Sequence, residues 1–321
     1  MAVKQVRALD PATYQSHAVH ALDRAWPETN CYSDLWIELL HGLGHEPLAA
    51  LGSAFEVDFE GDHFTFYKQH HEDLRTLYGL TVQELPVWRH ITHHLVEQVG
   101  LGRPVLVEID SFYLPDTRGT AYRAEHVKTT VGVQLIDLEA QRLGYFHNRG
   151  YFELSGEDFR GAFRLTDELK GNPNILPPYL EVVKPGGVVP GDARAAARWL
   201  TKERKARRPK SNPISRYRPR LAEDVKWLLS EPMASYHLYV FNTLRMLGSA
   251  YELGKSHLEW LDAAKFAEAA RASATISDSC KALLMVLARA VTRKKQPDLN
   301  ATLDAMEAAW ATVDKELTSK L

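Results

Sequence analysis

Apolar and polar positions follow two different periods along this chain, and the period changes near residue 190. The run Cys31-Tyr-Ser-Asp-Leu-Trp-Ile-Glu-Leu-Leu predicts a helix that Gly42 and Gly44 end. Residues 55–67 alternate apolar and polar around Gly61-Asp62, which predicts a strand pair or a bent strand. Residues 81–100 read as helix, and the short apolar run Pro104-Val-Leu-Val-Glu-Ile-Asp110 reads as a buried strand that delivers Asp110 to the loop after it. Two more strands are expected over 126–136 and 142–148, joined through a turn near Asp137 to Ala140 and therefore antiparallel. That hairpin predicts His126 beside Asn148, with His147 on the opposite face because strand side chains alternate.

Helix breakers fill the segments Asn172-Pro-Asn-Ile-Leu-Pro-Pro-Tyr and Lys184-Pro-Gly-Gly-Val-Val-Pro-Gly, which read as a connecting loop. Beyond them Asp192 is placed to cap a helix, and amphipathic stretches follow near 221–230, 234–253, 256–272, 276–294 and 298–319. The predicted class is α+β. A domain over 1–185, with a helix packed on an antiparallel sheet, precedes an α-helical bundle domain over 186–321.

With 321 residues, 45% hydrophobic and 25% charged, the chain has the composition of a globular protein of one or two domains. A formal net charge of -2 gives no overall attraction to nucleic acid or membrane, so an electrostatic partner must meet a local patch. One is available between Arg194 and Arg220, where Arg204, Lys205, Arg207 and Arg208 stand among further cations with Glu203 as the lone acid. Such a run is either a solvated helix face or a docking surface for an acidic partner, and no nucleic-acid recognition motif accompanies it. The first residues lack an apolar signal core and no stretch is apolar for long enough to span a bilayer, so a cytoplasmic location is expected. Cys31 and Cys280 are the two cysteines, expected reduced, with Cys280 a packing residue on a helix. His70, His71, His90, His93 and His94 invite a metal reading. No Cys cluster or His-Glu-x-x-His spacing supports it, and the expectation is no metal and no bound cofactor. Oligomeric state stays open, because the 234–253 face can pack within the chain or in a homodimer.

Cys31 carries the sharpest chemistry. A thiol at a helix N-terminus feels the partial positive charge of unpaired N–H groups, and a nearby imidazolium activates it further. His126 is the candidate base and Asn148 the candidate orienting amide, in the chain order Cys, His, Asn. Asn30 or Thr29, with the Cys31 backbone N–H, are candidate oxyanion donors. Asp110, Tyr113 and Asp116 are candidates for recognising an amine, or else Asp110 organises the turn that follows it. A buried structural cysteine and a histidine satisfied at a strand end are the alternative account of Cys31 and His126.

The segments Asp58-Phe-Glu-Gly-Asp62, Glu108-Ile-Asp-Ser-Phe-Tyr-Leu-Pro-Asp-Thr117, His126-Val-Lys-Thr and Gly144-Tyr-Phe-His-Asn148 resemble a bacterial family catalogued as a domain of unknown function. More distantly, residues 20–160 are similar to the N-terminal domain of the butirosin-biosynthesis acyltransferase and to the papain-like peptidases that cleave double-glycine leaders. That resemblance implies a papain-like fold with Cys31 as nucleophile, His126 as base and Asn148 as third member. It also implies transfer of an acyl or aminoacyl group from the phosphopantetheine thioester of an acidic carrier protein to an amine acceptor. Two positions depart from the pattern: Ala25 stands where the peptidases usually have glutamine, and Asn148 where they usually have Asp. Two rivals remain, a peptidase or amidase that uses the same residues with water as acceptor, and a non-catalytic protein-binding module.

Overall fold

The computed structural model describes residues 3–172 and 177–321. The chain forms two compact units that interleave in sequence, one made of Met1–Ala18, Cys31–Pro47 and His71–Val189 and the other of Val19–Asn30, Leu48–His70 and Pro190–Leu321. The change of period near residue 190 thus coincides with the last crossing between units. Residues 19–30 and 48–70 pack with the helical unit. Local packing explains this: Phe55 lies against Gly254, Trp26 against Gly248, and Arg216 pairs with Asp58.

The first unit contains β1 (Lys4–Gln5), α1 (Cys31–Gly42), α2 (His71–Tyr78), β2 (Thr81–Glu84), α3 (Ile91–Gly100), β3 (Val105–Asp110), β4 (Lys128–Asp137), β5 (Arg142–His147), β6 (Gly150–Ser155), α4 (Glu157–Ala162) and β7 (Leu180–Lys184). Its seven strands form one antiparallel sheet in the order β2-β7-β3-β4-β5-β6, with β1 added beside β4. Two expectations change here. The segment 81–100 is a strand followed by a helix, and the expected loop over 172–191 contains β7, which sits between β2 and β3. Residues 173–176 of that loop lie outside the described residues. The expected strand pair over 55–67 is a single bridge, Phe59 to Phe64, across a turn where Gly61 takes a φ of 103°.

Each face of the sheet has its own cover. Val105, Val107, Ile109, Val131, Val133, Leu143 and Tyr145 pack with Leu95 and Val99 of α3 and with Phe159 and Phe163 around α4. The other face carries α1, and the ladder gives its direction. Leu106 pairs with Glu181 on one side and Gly132 on the other, and Gly132 pairs with Phe146, so these four residues form a row across the strands. Tyr32 donates to Glu181 at 2.8 Å, a Cβ on Gly132 would lie 2.5 Å from Leu35 Cδ1, and Gly42 abuts the Phe146 ring. The helix therefore crosses the strands along that row, starting over β7 and ending over β5.

The second unit holds α5 (Ala193–Glu203), α6 (Pro213–Leu228), α7 (Met233–Val240), α8 (Met246–Asp262), α9 (Ala267–Arg293) and α10 (Asn300–Lys320), with a π-helical turn Phe241–Arg245 joining α7 to α8. Asp192 caps α5 by accepting from the Ala195 N–H at 3.0 Å. Cys280 is fully buried where α8 and α9 approach, beside Gly248, as a packing residue. Among the described residues no helix is long and apolar enough to cross a membrane.

Candidate functional site

The end of β3 and the start of β4 bring together an exposed histidine, a carboxylate and aromatic rings. The ladder between these strands runs to Asp110 and Lys128, and the Ser111 N–H donates to the Val127 carbonyl at 2.9 Å. One residue further, the His126 ring stacks on Phe112 with centroids 4.4 Å apart and planes within 13°. His126 Nδ1 lies 2.6 Å from Asp110 Oδ2. An ionised carboxylate only accepts, so Nδ1 carries the proton and the neutral ring presents the Nε2 lone pair outward. The His126 side chain is 66% exposed, so that lone pair is open to a solute.

Around the dyad stand Tyr113, whose ring lies 6.5 Å from that of His126, and Arg123, whose guanidinium covers Phe112 and Tyr113. Arg123 is held from behind by Asp158 at 2.6 Å. Burial, with Asp110 adding to it, pushes the Tyr113 hydroxyl above its usual pKa and keeps it a donor at neutral pH. Asp110 also accepts from the Phe112 N–H at 3.0 Å. The carboxylate thus both organises the turn and orients the histidine.

Asn148 is placed elsewhere, and the hairpin expectation is corrected. His147 pairs with Gly150, so Asn148 and Arg149 form the two-residue turn between β5 and β6, and Asn148 has a φ of 45°. Asparagine tolerates that left-handed conformation better than most residues. Because Gly132 pairs with Phe146, the position opposite Asn148 is near Thr130, four residues from His126 and about 13 Å along the strand. The partner of His126 is Asp110.

The opposite face holds a second, closed cluster that the sequence reading passed over. Asp116 accepts from Tyr145 Oη and from His147 Nδ1, both at 2.6 Å, and His147 Nε2 meets Thr129 Oγ1 at 2.8 Å. The order Asp, His, Thr has the connectivity of a hydrolase triad, yet Thr129 and His147 are buried and the Asp116 side chain is 3% exposed. Burial and Asp116 push the Tyr145 hydroxyl far above its usual pKa, so it stays protonated as the second donor. This network ties the 111–117 loop to the sheet and removes Asp116 from the candidates for amine recognition. Alternation along β4 and β5, which sets Thr129 and His147 on one face, was its sequence signal.

Cys31 opens α1, as expected, and is partly exposed. Its helix starts over β7, and no hydrogen bond joins Cys31 to His126 or Asn148 among the described residues. Next to it in sequence, Asn30 donates from Nδ2 to the Tyr67 carbonyl at 3.0 Å and is buried, so its amide is committed.

Several cations of the basic run pair with carboxylates within the helical unit. Arg204 is buried and pairs with Glu56, Arg208 is buried and pairs with Asp314, and Arg218 pairs with Asp304 and Glu307. Burial lowers the Arg208 pKa, with Asp314 opposing the shift. Lys205 and Arg207 are the exposed members of the proposed docking quartet. Among the described residues no group of three or more His, Cys, Asp or Glu side chains is arranged to hold a metal ion. His70 is engaged with Glu56 at 2.9 Å, while His90 caps α3 through the Thr92 N–H and reaches the Phe163 carbonyl at 3.1 Å.

Residues 15–185 match the DUF1839 N-terminal domain and residues 192–319 match the DUF1839 C-terminal domain. Comparison with curated proteins finds no match.

Proposed function

From the premise that the chain belongs to the DUF1839 family, whose two domains it carries in order, we propose that its sheet unit is an acyl-transfer site. The donor is a carrier-protein phosphopantetheine thioester, the acceptor is an amine, and His126 is the base. The observation that carries this reading is the Asp110–His126 pair, 2.6 Å apart, with Nε2 facing outward. An amine is a competent nucleophile only when neutral. Nε2 accepts the proton that the amine loses as its nitrogen bonds to the thioester carbonyl. Asp110 stabilises the imidazolium that forms, and collapse of the tetrahedral intermediate breaks the C–S bond and returns that proton to the leaving thiolate. Base catalysis of this kind contributes about a hundredfold or more. Phe112 and Tyr113 flank the dyad, and the exposed Lys205 and Arg207 are the cations this reading assigns to docking an acidic carrier protein.

A second reading routes the acyl group through Cys31. The position of the thiol at the start of a 12-residue helix laid across an antiparallel sheet supports it, as a papain-like use of Cys31 would require. Thioester exchange onto Sγ would release the carrier thiol, and the amine would then attack the Cys31 thioester. The test uses a panel of aminoacyl-loaded carrier proteins with amine acceptors, followed by intact mass and amide yield. The expected result is amide formation that His126→Gln lowers by about a hundredfold. Full activity in that variant refutes the base assignment. A hydroxylamine-labile adduct, absent in Cys31→Ala, assigns the covalent route. Undiminished turnover in Cys31→Ala assigns the direct one. Release of free acid without an amine would make the site a hydrolase.

A further inference from the structure

A groove of about 430 Å³ in the helical unit is lined by none of the residues given a role in the acyl-transfer reading. The π-helical turn Phe241–Arg245 forms one wall. Such turns displace the side chains that follow them and are frequent at functional sites. Here the turn leaves Phe241 39% exposed and turns Arg245 back over the Phe241 ring at 5.2 Å. Arg245 Nε donates to the Thr29 carbonyl at 3.0 Å and an Nη to the Glu28 carbonyl at 3.2 Å, which fixes the guanidinium at the groove. The facing wall comes from α9, where Lys281 Nζ sits 4.6 Å from the centre of the Trp26 ring and Leu284 adds apolar surface.

The charges in this groove do not cancel. Among the described residues neither Lys281 nor Arg245 forms an ion pair with a carboxylate. Glu28 is the single acid among the lining residues, against two cations. Trp26, Val240, Phe241 and Leu284 supply apolar lining. The volume is that of an ordinary small-molecule site. We propose that this groove binds a small amphipathic anion, a carboxylate or phosphate monoester carrying an apolar body, with the anion between Lys281 and Arg245 and the body against Trp26 and Phe241. A neutral or cationic molecule of the same shape leaves both cations unanswered and binds less well. The inference is independent of the acyl-transfer reading, since it uses none of those residues.

Isothermal titration of the full chain with octanoate, octyl phosphate, octanol and octylamine tests it. The expected result is saturable one-to-one binding of one or both anions, at least tenfold tighter than octanol, with no binding of octylamine. Octanoate alone would assign a carboxylate ligand, and octyl phosphate alone a phosphate monoester. Lys281→Glu, at an exposed position, is expected to weaken anion binding by tenfold or more, and Phe241→Ala to weaken octanol and the anions in common. Arg245 is left intact because it also holds the 28–29 backbone. Equal affinity for octanol and both anions, no saturable binding of any of them, or anion binding unchanged in Lys281→Glu overturns the proposal.

Discussion

His257 makes the helical unit sensitive to acid, and the size of the effect follows from its surroundings. The ring is fully buried, with Nδ1 2.8 Å from the Leu48 carbonyl and Nε2 3.0 Å from the Thr201 hydroxyl. A carbonyl only accepts, so Nδ1 carries the proton of the neutral ring. Burial lowers its pKa from 6.5 to about 4, against the opposing pull of the Leu48 carbonyl. An unfolded chain therefore takes up a proton near pH 6.5 and the native one only near pH 4. Between those values the unfolded state holds more protons, so stability falls as the pH is lowered and the loss levels off below about pH 4. At 1.36 kcal/mol per pKa unit the window is worth roughly 3 kcal/mol. Carboxylates titrate in the same range, so the measurement is a difference. Urea denaturation of wild type and His257→Asn is followed from pH 7.5 to pH 4, the asparagine amide keeping a donor toward Leu48 without titrating. The variant is expected to be less stable near neutrality, and the gap to shrink by roughly 3 kcal/mol on acidification. Parallel stability profiles would refute the assignment of this acid sensitivity to His257.

Two further outcomes probe the sheet unit. Gly132→Ala places a methyl 2.5 Å from Leu35 Cδ1 where α1 crosses β4, and denaturation should show a loss of about 1–3 kcal/mol; unchanged stability would mean that the helix rides higher on the sheet. Asp116→Ala strands the buried Tyr145 and His147 donors and should cost about 3 kcal/mol or more, whereas Thr129→Val at the end of the same chain should cost about 1 kcal/mol. Equal costs in chemical denaturation would show that the two ends of the network carry similar weight and that Asp116 is not its anchor.

The α1 helix, β3, β4, β5, the helix cap at Asp192 and the packing role of Cys280 were legible because each rests on local pattern: apolar spacing, a turn signal or a capping side chain. What escaped was long-range. β7 is only five residues, Leu-Glu-Val-Val-Lys, set among prolines and glycines, and its identity comes from pairing with β2 and β3, about 75 to 100 residues away in sequence. The interleaving of the units is likewise invisible to a reading that moves along the chain, because residues 19–30 and 48–70 are assigned by what they pack against. The internal pairing of the basic run is long-range for a related reason. Charge density in sequence says nothing of where the acids lie, and Glu56, Asp58, Asp304, Glu307 and Asp314 come from distant segments to meet it.

The exchange of Asn148 for Asp110 as the partner of His126 has a geometric cause. β4 spans 10 residues and β5 spans 6, so a hairpin closed at Asp137 and Arg142 leaves the beginning of β4 without a partner on the β5 side. The irregularity between Val133 and Leu135 shifts the register by one residue and does not remove the overhang. On its other side that overhang pairs with β3, whose last residue is Asp110. A histidine two residues before β4 is then carried past the end of β5 and set beside the carboxylate that ends β3. The consequence is chemical as well as geometric. An amide can only orient an imidazole, while a carboxylate also stabilises its protonated form, which is the form a base reaches after it has taken a proton from an amine.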